Sequence, residues 1–154
     1  MTARLDYARI APGIHAAMTA LERYLHGCGL ESDLMHLVKL RASQLNGCAY
    51  CIDMHWKDLR VAGETEQRLY ALDAWREWPC YSVRERAALA WTEAVTLVVN
   101  GHVSDAVYDQ VRGQFSEKEL ADLTLAVATI NAWNRLAIAG REEPGTYQPA
   151  PPGA

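Results

Sequence analysis

Apolar residues recur along this chain at steps of three and four. Leu120, Leu123, Val127 and Ile130 keep that rhythm and Asn134 continues it, so the segment reads as a helix with one buried stripe and a polar residue at its end. Ser82-Val83-Arg84-Glu85 and Ser116-Glu117-Lys118-Glu119 both fit the capping box, in which serine and glutamate satisfy each other's backbone amides, and a longer helix is predicted to follow each. Upstream, a helix starts at Pro12 and runs to about His26, with Gly27 and Gly29 as stops. Ser32 is placed as the N-cap of a second helix reaching Leu45, which Asn46-Gly47 breaks. A third runs from around Cys48 to Gly63. A short fourth begins after Thr65 and fades before an aromatic loop, Trp75 to Tyr81, where Pro79 forbids continuation. Ser104 caps a short helix to Arg112. β-Branched runs are scarce and no hairpin turn is flanked by alternating hydrophobics, so the fold class is all-α. One domain is expected over residues 1–141. The tail, 142–154, carries four prolines and few apolar residues and is expected to be loose.

With 154 residues, half of them apolar, the chain can close one core without metal or disulfide support. Nineteen acidic against fifteen basic side chains give a net charge of −4, and no Lys/Arg cluster is present to neutralise a run of phosphates, so nucleic acid is not an expected partner. Met1 to Asp6 lacks the apolar stretch of a signal peptide, and no window approaches the apolar length that spans a bilayer. A cytoplasmic location is expected. In that reducing setting four cysteines, Cys28, Cys48, Cys51 and Cys80, point to metal or redox chemistry at the close pair rather than to a disulfide framework.

Cys48, Cys51 and His55 stand at i, i+3 and i+7, within roughly 60° of one another around a helix. The two cysteines fall in its first turn, where free amides and the helix dipole favour thiolate. Cα atoms three residues apart lie about 5 Å from each other in a helix, within reach of a disulfide, so the pair can cycle between dithiol and disulfide. If the helices on either side of Asn46-Gly47 fold into a hairpin, His36 lies ~16 Å and His55 ~12 Å from the turn, an offset two imidazoles can bridge. His36 then either joins the site or packs among Leu34, Leu37, Val38 and Leu40. The rival chemistry is a zinc site of Cys48, Cys51, His55 and His36, whose ligand types suit the metal although the spacing differs from the usual knuckle. Tyr50 reads as packing, or as lining the access path. Glu93 reads as a carboxylate paired with Arg41 or Arg135, or alternatively as a substitute acid for the site.

The run Leu37 to His55, with Asn46-Gly47-Cys48-Ala49-Tyr50-Cys51-Ile52-Asp53-Met54-His55 at its centre, resembles the core of the alkylhydroperoxidase D-like branch of the carboxymuconolactone decarboxylase superfamily. Glu85 to Glu93 and Ile130 to Arg135 agree with it, so the likeness extends from about Leu5 to Ala139. The resemblance implies a helical homo-oligomer, trimeric or hexameric, with peroxidase activity and no cofactor, metal or flavin. By that analogy Cys51 attacks the hydroperoxide, Cys48 resolves the sulfenic acid and His55 moves protons. An external dithiol resets the pair; in the best-known member this is a lipoyl-bearing protein. Two positions depart from the pattern. His36 stands where the family usually has a glutamate, which predicts a different pH optimum, and Tyr50 replaces a histidine between the cysteines. Decarboxylation of a carboxymuconolactone, the superfamily's other chemistry, needs no cysteine pair.

Overall fold

The structure, a computed structural model, describes residues 3–150. It is all-helical, with no strand among the described residues: α1 (Tyr7–Ile10), α2 (Pro12–His26), α3 (Ser32–Asn46), α4 (Ala49–Val61), α5 (Glu66–Tyr70), α6 (Val83–Thr96), α7 (Asp105–Arg112) and α8 (Glu117–Gly140). Two short 3-10 turns, Leu72–Ala74 and Val98–Asn100, follow α5 and α6. No described helix is long and apolar enough to cross a membrane.

The predicted capping chemistry is formed at α6 and α8, where Ser82 and Ser116 each complete a reciprocal box with Glu85 and Glu119. Ser104 and Thr65 cap α7 and α5 through their hydroxyls. One N-cap is corrected by a residue: Glu31, in extended conformation, precedes α3 and Ser32 is already helical. The Glu31 carboxylate caps nothing; it accepts from the guanidinium of Arg84.

Helix α3 is the centre of the molecule and packs on α4, α6 and α8. That position requires apolar residues around most of its circumference. Leu34 and Val38 face the cluster of Ala88, Val111, Leu123 and Val127, whereas Leu37 and Leu40 face Leu59, Leu69, Leu72 and Leu89. Each fully buried leucine contributes about 1.5–3 kcal/mol relative to exposure. The polar end of the α8 stripe is also buried. Asn134 Nδ2 donates to Ser43 Oγ at 3.0 Å and its Oδ1 accepts from Asn46 Nδ2 at 2.8 Å, tying the end of α3 to α8. Gly47, at φ 69°, then turns the chain through the left-handed region into α4.

Two segments outside the helices are held by side chains. The aromatic loop is fastened by Arg86, which donates to the carbonyls of Arg76, Trp78 and Tyr81. The tail, expected to be loose, lies along α4 as far as Tyr147. Lys57 Nζ donates to the Tyr147 carbonyl at 3.0 Å, Gly145 N donates to Asp53 at 3.1 Å, and the Tyr147 hydroxyl donates to Asp58 Oδ1 at 2.7 Å. Residues 151–154 of that tail lie outside the described residues.

Candidate functional site

Cys48 is the N-cap of α4, and its sulfur accepts from the Cys51 amide at 3.4 Å. The cap places both cysteines in the first turn, where free N–H groups favour negative charge on sulfur. The two sulfurs are joined as a disulfide, with Cα atoms 5.4 Å apart, and both residues are buried. One turn further along α4, His55 is 4% exposed.

The α3–α4 hairpin brings His36 against His55. Their Nδ1 atoms are 3.4 Å apart, and their ring centroids 5.6 Å. Asp58, on the next turn of α4, completes the group: its Oδ2 is 3.7 Å from His36 Nδ1 and 4.0 Å from His55 Nδ1. Burial drives the His55 imidazole well below its ordinary pKa, and Lys39 and His36 push the same way. His36 is lowered as well, chiefly by burial, with Asp58 partly opposing. Both rings are therefore held neutral. Among the described residues, His55 Nε2 has no hydrogen-bond partner.

These groups line a cavity of about 380 Å³ with Cys51 in its wall. Much of the lining is apolar, from Leu25, Met35, Met54 and Trp133. Its polar side carries an ion pair: Lys39 Nζ donates to Glu22 Oε2 at 2.5 Å, and Trp133 Nε1 donates to the other Glu22 oxygen at 3.1 Å. Tyr50 also lines the cavity, and burial raises its hydroxyl pKa. His15 and His26 are exposed at its mouth.

The four residues singled out by sequence, Cys48, Cys51, His55 and His36, thus lie together. Glu93 takes the first of its two readings, a carboxylate paired with Arg41: it accepts from Arg41, Trp75 and Arg76 and lends no acid to the cavity. Burial opposes its charge, but those three donors prevail and hold its pKa below the usual value. The two-cysteine, two-histidine zinc set is not assembled in this state, because the sulfurs are bonded to each other. The carboxylate that sequence reasoning missed is Asp58. At i+3 from His55 and i+7 from Cys51 it shares their helical face, so the periodicity that grouped the cysteines with His55 also points to it.

The family model for the carboxymuconolactone decarboxylase family matches residues 12–94, and the chain belongs to that family. Within it the chain is an alkylhydroperoxidase D-like protein. A solved structure from Agrobacterium tumefaciens, described as a protein of unknown function and proposed to be the antioxidant defence protein AhpD, superposes with a TM-score of 0.91 at 40% identity, covering 95% of this chain and all of that one. The uncharacterized protein YdfG of Bacillus subtilis is 44% identical over 139 residues, 90% of this chain and 95% of its own length. At 21% identity, an uncharacterized peroxidase-related protein from Ralstonia eutropha, described as an alkylhydroperoxidase AhpD core, shares the fold with a TM-score of 0.78 over 88% of this chain and 73% of that one.

Proposed function

We propose that this protein is a thiol-dependent peroxidase that reduces organic hydroperoxides through a Cys48/Cys51 dithiol–disulfide cycle. The observation that carries the reading is a disulfide-forming pair at a helix start, opening on a largely apolar cavity and flanked by two neutral imidazoles. In the reduced protein, neutral His55 accepts the Cys51 thiol proton. The thiolate attacks the distal peroxide oxygen, the O–O bond breaks, Cys51 becomes a sulfenic acid, and the leaving alkoxide takes up the proton as alcohol. The Cys48 thiol displaces water from that sulfenic acid and the disulfide closes. An external dithiol, a lipoyl-bearing protein being the family precedent, reduces the disulfide and leaves oxidised itself. His36 shares with His55 the proton that His55 holds until the alkoxide takes it, and Asp58 supplies the negative charge that the absent family glutamate would have supplied. The apolar walls favour an organic peroxide over hydrogen peroxide. The same reading makes the protein a cytoplasmic homo-oligomer, trimer or hexamer.

The test uses pre-reduced, chelator-treated protein given about one equivalent of cumene hydroperoxide, with intact mass and peptide mapping before and after. Loss of two mass units within the Cys48–Cys51 peptide is expected. Cys51→Ser should abolish the reaction, and Cys48→Ser should leave a trappable sulfenic acid. Thiols that survive the peroxide unchanged overturn the reading.

A further inference from the structure

We propose that His36 Nδ1, His55 Nδ1 and Asp58 Oδ2 form a three-ligand site for a divalent transition cation of the zinc type, separate from the cysteine pair and open to the cavity on its fourth side. With metal–ligand bonds of about 2.0–2.2 Å, donors in a tetrahedral shell lie about 3.3–3.5 Å apart. The three separations here are 3.4, 3.7 and 4.0 Å, so the donors need to close by a few tenths of an ångström. Two imidazoles and one carboxylate make a donor set that zinc and its neighbours accept. The facing nitrogens point the same way. Between two Nδ1 atoms at 3.4 Å only one hydrogen fits, so in the metal-free pair one nitrogen donates to the other, whereas with both ring hydrogens on Nε2 the two Nδ1 lone pairs face a cation together with the carboxylate.

The surroundings of Asp58 suit a ligand. Its Oδ1 is occupied by the Tyr147 hydroxyl at 2.7 Å, which orients Oδ2 toward the histidines. The cation nearest the site, Lys39, has its charge offset by Glu22 at 2.5 Å. His36 and Asp58 keep 24% and 16% of their side chains exposed toward the cavity, enough for an ion and a water to enter. The disulfide is outside the donor set, so the site exists in oxidised protein. A bound cation engages the nitrogens that the proposed thiol cycle uses for its proton, and the metal-bound and proton-relaying forms are alternatives. The binding itself does not depend on the peroxidase reading.

The experiment titrates the full-length disulfide form, freed of metal by chelator, with Zn2+ and with Co2+. Binding of one equivalent is expected, with the visible bands of tetrahedral Co2+ and no thiolate-to-cobalt charge-transfer band. His36→Asn and Asp58→Asn should each weaken binding by at least 100-fold, in variants whose circular dichroism at the assay temperature is that of the folded parent. Tyr147→Phe should weaken it about 10–100-fold, and the Cys48→Ser/Cys51→Ser double variant should bind as the parent does. Three results overturn the proposal: no binding at equimolar metal, binding that needs reduced cysteines and carries the charge-transfer band, or binding that survives both His36→Asn and Asp58→Asn, as it would if exposed His15 or His26 held the ion.

Discussion

Replacing Glu93 by glutamine separates the structural carboxylate from the chemical one. Glu93 Oε1 accepts from Arg41 Nε and Trp75 Nε1, both at 2.8 Å, and Oε2 accepts from Arg76. The carboxylate is 13% exposed and Arg41 11% exposed, so neither charge is well solvated once its partner goes. Arg41 would keep only Asp73, which is 74% exposed, and the Gln44 amide oxygen. Breaking a buried pair costs about 3–5 kcal/mol. Glutamine retains one acceptor oxygen, which returns roughly 1 kcal/mol as a neutral hydrogen bond. The expected loss is therefore about 2–4 kcal/mol, or about 4–16 °C in Tm for a chain of this size. Urea unfolding with thermal denaturation measures it. Oxidation of the reduced pair by cumene hydroperoxide should meanwhile proceed at the parent rate, because Glu93 is outside the cavity. A loss below 1 kcal/mol would refute the ion-pair reasoning, and slowed thiol oxidation in a folded variant would refute the structural role.

The lowered histidine pKa values give a pH dependence of definite sign. Unfolded histidine takes up its proton near 6.5, while native His36 and His55 resist until lower pH, so below about 6.5 the unfolded state binds more protons and stability falls. The slope reaches at most about 1.4 kcal/mol per pH unit per histidine and vanishes above that range; His36→Asn should remove one share in urea titrations across about pH 4.5–8.5, roughly two units either side of the ordinary value. Tyr147→Phe deletes the donor to Asp58 and should cost about 1–2 kcal/mol, and under the proposed relay it also shifts the pH profile of thiol oxidation; an unmoved profile would detach the tail from the chemistry. Asn134→Ala empties a fully buried position and strips partners from Ser43 and Asn46, with an expected loss of about 2–4 kcal/mol in urea unfolding.

What was legible in the sequence is what local chemistry dictates. Ser82 and Ser116 announce their helices because a capping box is complete within four residues, and Gly47 announces the turn because few other residues enter the left-handed region cheaply. The cysteines and His55 were readable for the same reason, lying on one face of one helix. Asp58 shares that face but stands neither at the family's glutamate position, which His36 occupies, nor on the capped helix that carries Glu93. The cavity wall is a different matter. Trp133 and Glu22 meet across more than a hundred residues, and no periodicity within either helix reports that. The tail's contacts are also out of reach of composition: proline content measures how little core a segment can bury, but Gly145 and Tyr147 form hydrogen bonds with Asp53, Lys57 and Asp58, which composition does not count.

The order in which the walls of the cavity are laid down has its own consequence. The hairpin of α3 and α4 is complete at Val61, but Trp133 and Tyr147 come more than seventy residues later. At 5–20 residues per second, translation leaves an interval of roughly 4–15 s in which Cys48 and Cys51 have emerged and the far wall has not. During that interval the pair meets the small molecules around the ribosome without this wall over it. Once α8 docks, Trp133 closes that side of the space in front of Cys51.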